Sequence, residues 1–311
     1  MARLNLLEET RFEKLPVTVY PDQHIASVKV ARMIANLILE KQKAGLPAVL
    51  GLATGATPVG VYKELIRLHK EEGLSFKNVI TFNLDEYYPM KPTSVQSYVA
   101  FMNENLFDHI DIDKNNIHIP DGTLALEDIA AFCLAYETKI SDLGGLDLQL
   151  LGIGRTGHIG FNEPGSAPNS GTRLVTLDDL TRSDASRDFG GKGNVPVKAI
   201  TMGIGTIFKA RQIILMAWSQ KKAPIVKKAV EGEISAEVPS TYLQLSDNVE
   251  FVLDEDAASF LSPTTERINS GPRKGVSISS SWIYNSISKL DVLGEVGKWD
   301  YLKGRKLKSE V

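Results

Sequence analysis

From Gln23 to Lys43 apolar side chains recur at Ile25, Val28, Val30, Ile34, Ile38 and Leu39, mostly at helical spacings. That pattern predicts a helix, ended by Gly45 and Pro47, and the "AVLGLA" that follows reads as a buried strand. In "ATGATP", Thr57 reads as an N-cap and Pro58 as the first residue of a helix through "VGVYKELIRLHKEEG". "NVITFNL" is a second buried strand, ending beside Asp85 and Glu86. Helices are expected from about Ser94 to Phe107 and from about Leu126 to Leu143, followed by the strand "LDLQLLGI". "AITMGI" and "QIILMAW" read as further apolar strands, "QKKAPIVKKAVEG" as a helix interrupted near its start by Pro224, and "VEFVLDEDAASFL" as a closing strand and helix.

These strands lack polar alternation and are separated by helices, which is the pattern of strands covered on both faces. The expected fold is therefore α/β, a three-layer, Rossmann-like, mostly parallel sheet with helices on both faces. No linker or repeat interrupts the chain before Ser262, so residues 1–261 are expected to form one domain. Within it Asp178 to Pro196, "DDLTRSDASRDFGGKGNVP", is polar and without strand periodicity, which leaves two readings open, a lid near residues 160–195 or a surface excursion. Residues 262–311 read as an extension, with a terminal helix around Trp282 to Leu293 and a solvated basic end.

The composition removes several functions. Among 311 residues, 43% are hydrophobic and 23% charged, and the formal charge is only -3, so no overall positive field exists to gather nucleic acid or hold a membrane surface. No apolar run approaches the roughly 20 residues of a membrane span, and the first residues lack the basic start and apolar core of a secretion signal. Cys133 is the single cysteine, which excludes an internal disulfide framework and fits a cytoplasmic setting.

Candidate chemistry begins with "LGIGRTGHIGFNEPG", where Gly152, Gly154 and Gly157 satisfy the spacing of a dinucleotide fingerprint. Such a turn must deliver a pyrophosphate to a helix N-terminus, whereas here Pro164, Gly165 and Pro168 oppose an immediate helix. The more informative loop is "GLATGATP", between a strand and a helix, where backbone N–H groups and the hydroxyls of Thr54 and Thr57 can receive phosphate oxygens. It lacks the terminal G-K-[ST] of a nucleotide-triphosphate loop. Asp85 and Glu86 follow one strand, and His158 and Glu163 follow another, so carboxylate and imidazole are expected to converge on the carboxyl edge of the sheet. His158 is the natural acid-base candidate; His24, His69, His109 and His118 read as residues of surface helices or connecting turns. A metal held by His158, Asp85 and Glu163 would lack the clustered histidines of known signatures.

At these residues the chain resembles the glucosamine-6-phosphate deaminase family, also called glucosamine-6-phosphate isomerase. The resemblance runs from about Pro16 to Leu261 through "GLATGATPVGVYKEL", "TFNLDEYYP", "SYVAFMNENLFDHIDI", "LLGIGRTGHIGFNEPGS", "ITMGIGTI" and "SQKKAPIVKKAVEG", in that order. It implies aldose-ketose isomerisation coupled to deamination, converting D-glucosamine 6-phosphate and water into D-fructose 6-phosphate and ammonia, with no metal or redox cofactor. It implies that Asp85 moves a proton from C2 toward C1 and that His158 opens the pyranose ring with Glu163 as its partner. It further implies that Gly55, Ala56, Thr57, Arg187 and Lys221, beside Thr54, hold the phosphate. A homo-oligomer is compatible with the family. The alternative activities are catalysis on a related phosphosugar and non-catalytic sensing of a sugar phosphate.

One residue departs from the family pattern. Where the usual motif "GxGxDGHIxFNEP" has an aspartate, this chain has Thr156. The missing carboxylate predicts a His158 that is less basic and less firmly oriented. Ala56 stands where glycine also occurs, which is acceptable only at negative φ.

Overall fold

The computed structural model describes residues 13–262. The expected terminal helix around Trp282 to Leu293 lies outside the described residues. Within them, β1 (Val17–Tyr20), α1 (Gln23–Lys43), β2 (Ala48–Leu52), α2 (Val59–Glu72) and β3 (Val79–Asn83) follow the apolar pattern closely. The order continues with β4 (Asp85–Tyr88), α3 (Tyr98–Asn105), β5 (Ile117–His118), α4 (Ile129–Asp142), β6 (Leu148–Leu151), β7 (Arg173–Thr176) and α5 (Asp179–Ala185). Then come β8 (Lys198–Thr201), α6 (Ile204–Phe208), β9 (Ile213–Ala217), α7 (Ala223–Glu231), β10 (Val249–Asp254) and α8 (Glu255–Ala258).

Seven strands form one parallel sheet in the order β1-β10-β9-β6-β2-β3-β5. Its strands read as unbroken apolar runs because each serves two cores. Val49 of β2 and Ile213, Leu215 and Ala217 of β9 pack with Tyr136 and Ile140 of α4, Ile204 and Ile207 of α6, and Ile225, Val226 and Ala229 of α7. Their neighbours Ala48, Leu50, Leu52, Ile214 and Met216 turn to the other face, against Ala26, Val30, Ile34 and Ile38 of α1 and Val61, Tyr62, Leu65 and Leu68 of α2. Side chains alternate between the faces of a strand, so a sheet covered twice needs apolar residues at every position. Each fully buried Val, Leu or Ile adds about 1.5–3 kcal/mol to this packing.

The strand order sets the position of any site. From β2 the chain moves outward to β3 and β5, then returns to the opposite side of β2 as β6 and continues to β9 and β10. The loops leaving β2 and β6 therefore diverge at the carboxyl edge, forming the crevice where open α/β sheets take ligands.

A second sheet, antiparallel and three-stranded in the order β4-β8-β7, stands beside this edge. It corrects two sequence readings. Asp85 and Glu86 do not finish β3; they open β4, with Asp85 opposite Thr201 of β8. "AITMGI" is the middle strand of this small sheet, since Ala199, Ile200 and Thr201 are buried and a central strand reads alike in either sheet. Glu137 of α4 helps to anchor the second sheet, its Oε1 accepting from the amide and hydroxyl of Thr172 (2.8 and 2.5 Å) and from the Thr206 hydroxyl (2.5 Å).

Local signals fail in four further places. Thr57 makes no cap, and Pro58 itself occupies the N-cap position of α2 without a side-chain bond. The helix expected from Ser94 begins at Tyr98, where Ser97 caps it by accepting from the Ala100 amide. Pro224 does not interrupt α7 but lies in its first turn, where the missing N–H is no loss. The polar stretch after Asp178 contains α5, capped by the Asp178 carboxylate accepting from the Leu180 amide. His118 is half-buried in β5 on the ring of Phe82, not in a connecting turn, and burial pushes its imidazole down to about 4. No helix among the described residues is long and apolar enough to cross a membrane.

Candidate active site

The loop after β2 carries Thr54, Gly55, Ala56 and Thr57 into the first turn of α2. Gly55 has φ +91°, with open space where a β-carbon would sit, while Ala56 is not among the residues with positive φ. An alanine is therefore tolerated at 56, and the left-handed turn belongs to Gly55. The loop is held from two sides: Tyr98 hydrogen bonds to the Thr54 side chain, and the indole N–H of Trp218 donates to the Thr57 carbonyl at 2.9 Å. Gly55 and Ala56 are exposed, leaving their backbone N–H groups at the mouth of a helix.

Asp85 and Glu86 are both buried, 5% and 1% exposed, on opposite sides of β4. Burial raises the Asp85 carboxyl well above the ordinary range, and the neighbouring Glu86 charge raises it further. Burial also pushes Glu86 up to about 7, against the amides of Tyr98, Tyr87 and Val99 that donate to it. Glu86 thus ties the start of α3 to β4. Asp85 faces the loop that follows β6: its Oδ2 lies 3.3 Å from where a β-carbon on Gly160 would stand.

That loop holds His158. Nδ1 of the ring lies 3.0 Å from Glu163 Oε2 and 2.9 Å from Thr156 Oγ1, while Nε2 makes no hydrogen bond among the described residues. A single Nδ1–H directed at the carboxylate fixes the tautomer and leaves Nε2 to act as base. Burial raises Glu163, but hydrogen bonds from His158 and Thr181, the His158 charge and the Asp178 amide together hold it below the usual carboxylate range. The glycines of the loop serve this imidazole. A β-carbon on Gly154 would stand 2.1 Å from His158 Nε2, and Gly157 has φ +82° with Val238 packed against it.

Asp85, the 158–163 loop and the Thr54–Thr57 turn are thus gathered at one edge of the sheet, linked through Gly160 and Tyr98. Arg187, just beyond α5, and Lys221, in the turn after β9, expose side chains that make no hydrogen bond or ion pair among the described residues. The turn that carries Lys221 is strained and pinned. Ser219 has φ +75°, and its amide donates to both carboxylate oxygens of Asp254 at 3.1 and 3.0 Å. Among the described residues no group of three or more His, Cys, Asp or Glu could hold a metal ion.

Four residues of this region carried no sequence signal of their own. Tyr98 stacks on Phe161 and bonds to Tyr87 and Thr54. Trp218 holds the first loop, and Lys222 donates to the Ile153 carbonyl at 2.7 Å. Thr181 of α5 reaches the His158 and Glu163 pair. Each acts across a long sequence separation, which no local pattern records.

The model of the family described as glucosamine-6-phosphate isomerases/6-phosphogluconolactonase matches residues 21–252. A glucosamine-6-phosphate deaminase from Clostridium perfringens is 48% identical over 233 residues, which is 75% of this chain and 96% of the relative. A putative glucosamine-6-phosphate deaminase-like protein from Bacteroides thetaiotaomicron is 49% identical over 249 residues, covering 80% of this chain but only 38% of that longer protein. The solved structure of a monomeric glucosamine-6-phosphate deaminase superposes with a TM-score of 0.75 at 44% identity, covering 79% of this chain and 100% of the other.

Proposed function

Because the chain belongs to the glucosamine-6-phosphate isomerase/6-phosphogluconolactonase family, we propose that it converts D-glucosamine 6-phosphate and water into D-fructose 6-phosphate and ammonia. The observation that carries this reading is a buried carboxylate, Asp85, without a hydrogen bond or ion pair among the described residues, standing against the loop that holds the His158–Glu163 pair. A lactone hydrolysis asks for no carbon-acid base. Proton transfer at C2 does.

The phosphate is held by the N–H groups and hydroxyls of the Thr54–Thr57 turn together with Arg187 and Lys221, both free to swing toward it. His158 opens the ring: Nε2 takes the proton of the anomeric hydroxyl, and the protonated ring returns it to the ring oxygen as the C1–O bond breaks. Glu163 stabilises the imidazolium between these transfers. In the open-chain aldehyde, Asp85 removes the C2 proton while O1 takes up a proton, giving an enolamine; Asp85 then delivers its proton to C1 as the nitrogen gives up one, so that C1 becomes an alcohol and C2 an imine. The resulting C2 imine takes up water and releases ammonia. A raised carboxyl suits this work, since a more basic carboxylate abstracts a carbon-bound proton with less uphill transfer.

Residues 160–195 act as a lid in this reading, supported by α5 lying over His158 with Arg187 beyond it. We place the enzyme in the cytoplasm on the strength of its single, buried cysteine. A monomer is the expected state by likeness to the solved relative, with a homo-oligomer as the alternative that sedimentation would reveal.

A coupled assay for ammonia and ketose phosphate across several 6-phosphorylated aminosugars tests the proposal. Equimolar products from glucosamine 6-phosphate, absent in Asp85→Asn, are expected. Turnover of another phosphosugar only, or binding without turnover, would replace it with one of the two alternative activities.

A further inference from the structure

Three oxygens crowd the Nδ1 atom of His158: Thr156 Oγ1 at 2.9 Å, Glu163 Oε2 at 3.0 Å and Thr181 Oγ1 at 3.3 Å. Nδ1 carries one hydrogen and directs it to one acceptor. An ionised carboxylate accepts only, so Glu163 receives that hydrogen and the two hydroxyls must donate elsewhere. Both have Glu163 within reach, Thr156 at 3.4 Å from Oε2 and Thr181 through its side-chain hydrogen bond. Oε1 accepts from the Asp178 amide at 3.3 Å. The carboxylate therefore sits in a cradle of donors, half of it built from the His158 loop and half from α5.

The α5 half is firmly docked. Thr181 is 7% exposed, and Asp184, three residues on along the same helix face, pairs with Arg155, the residue before Thr156. Nearby, Lys222 donates to the Ile153 carbonyl and has Asp184 and Arg155 as its charged neighbours, while the Asp178 carboxylate is occupied by the Leu180 amide.

We propose that Thr181 is a positioning residue for the ring-opening step, its hydroxyl holding the Glu163 carboxylate in the orientation that receives the His158 Nδ1–H. In the family's usual motif an aspartate occupies position 156; here a hydroxyl from another element shares the work of fixing the pair. The inference rests on the deaminase reading for its kinetic consequence, but not for its structural one.

The test compares Thr181→Val, which keeps the volume and removes the donor, with Thr181→Ser, which keeps the donor. Thr181→Val is expected to lower kcat on glucosamine 6-phosphate about tenfold, the effect of one hydrogen bond to a charged group, with KM within about twofold. The acidic limb of kcat, set by the raised Asp85 carboxyl, is expected to stay in place. Thr181→Ser restores kcat. In proton NMR, the Nδ1–H resonance of His158, identified by its absence in His158→Gln, is expected to be sharp in the wild type and in Thr181→Ser and exchange-broadened in Thr181→Val. An unchanged kcat and resonance in Thr181→Val would overturn the proposal. Equal losses in Thr181→Val and Thr181→Ser would also overturn it, by showing that packing matters and the hydroxyl does not. If the wild type releases no ammonia from glucosamine 6-phosphate, the deaminase reading fails by itself, and the resonance comparison still decides the role of Thr181.

Discussion

The imidazole of His158 occupies the space that a β-carbon on Gly154 would take, with Nε2 only 2.1 Å from that position. The middle glycine of the apparent dinucleotide fingerprint is thus required by a side chain four residues later, not by a pyrophosphate. Gly154→Ala should displace the ring and leave the fold intact, since the clash is with a side chain. Turnover is expected to fall roughly 100-fold, the scale of an ångström-sized misplacement of a catalytic group, with an unchanged thermal midpoint. Wild-type turnover in this variant would refute the arrangement.

Asp85→Asn removes the proposed carbon base while keeping its shape. Ammonia release should fall by roughly 10²–10⁴-fold, the usual contribution of a positioned acid-base group, and exchange of the C2 proton with solvent should stop in parallel. Binding of inorganic phosphate, measured by calorimetry, should stay as in the wild type. Residual C2 exchange at the wild-type rate would assign the step to another group.

Glu86→Gln probes the second buried carboxylate through pH. With Glu86 pushed up to about 7, the folded protein resists its ionisation, so wild-type stability should decline as pH rises from about 4.5 through about 7. The variant should lack this decline, the difference reaching roughly 3 kcal/mol in urea titrations at pH values well below and well above that range. Removing the Glu86 charge should also move the Asp85-dependent acidic limb of activity to lower pH, because that charge raises Asp85. A limb that stays in place would show that the two carboxylates are uncoupled.

Thr156→Asp restores the acid of the usual motif 3.4 Å from Glu163, as measured from the present hydroxyl. Several-fold faster turnover, extending to higher pH as the imidazolium gains a second carboxylate, is the expected result. An unaltered pH profile would mean that Glu163 alone suffices for this enzyme.

Trp218→Phe keeps the ring and deletes the hydrogen bond to the Thr57 carbonyl. With about 1 kcal/mol at stake, KM should rise about fivefold and kcat change little, because the loop is asked to hold the phosphate and not to react. A fall in kcat at constant KM would contradict that role.

Much of the scaffold was legible in the apolar pattern. α1 spans Gln23–Lys43 as its periodicity indicates, and β2, β3, β6 and β9 lie inside the apolar runs that announced them. The threonine at 156 and the pairing of His158 with Glu163 were readable because these residues lie within a few positions of one another. Three elements misled: "AITMGI" moved into the small sheet, Asp85 proved to open β4, and Pro58 took the capping position expected of Thr57. The two strand errors arose where tertiary pairing overrode a local preference shared by two conformations.

The amino-acid sequence by itself determined which segments are strands buried on both faces and which helices cover them, because period and apolarity are written residue by residue. It also supplied the reactive side chains in order along the chain. What only the tertiary structure decided is how those side chains meet: β6 returning beside β2 sets the two loops against each other, β4 pairing with β8 turns Asp85 toward Gly160, and α5 brings Thr181 to Glu163. Such contacts join residues tens of positions apart, and their existence depends on strand order and helix docking, for which no stretch of neighbouring residues carries a code.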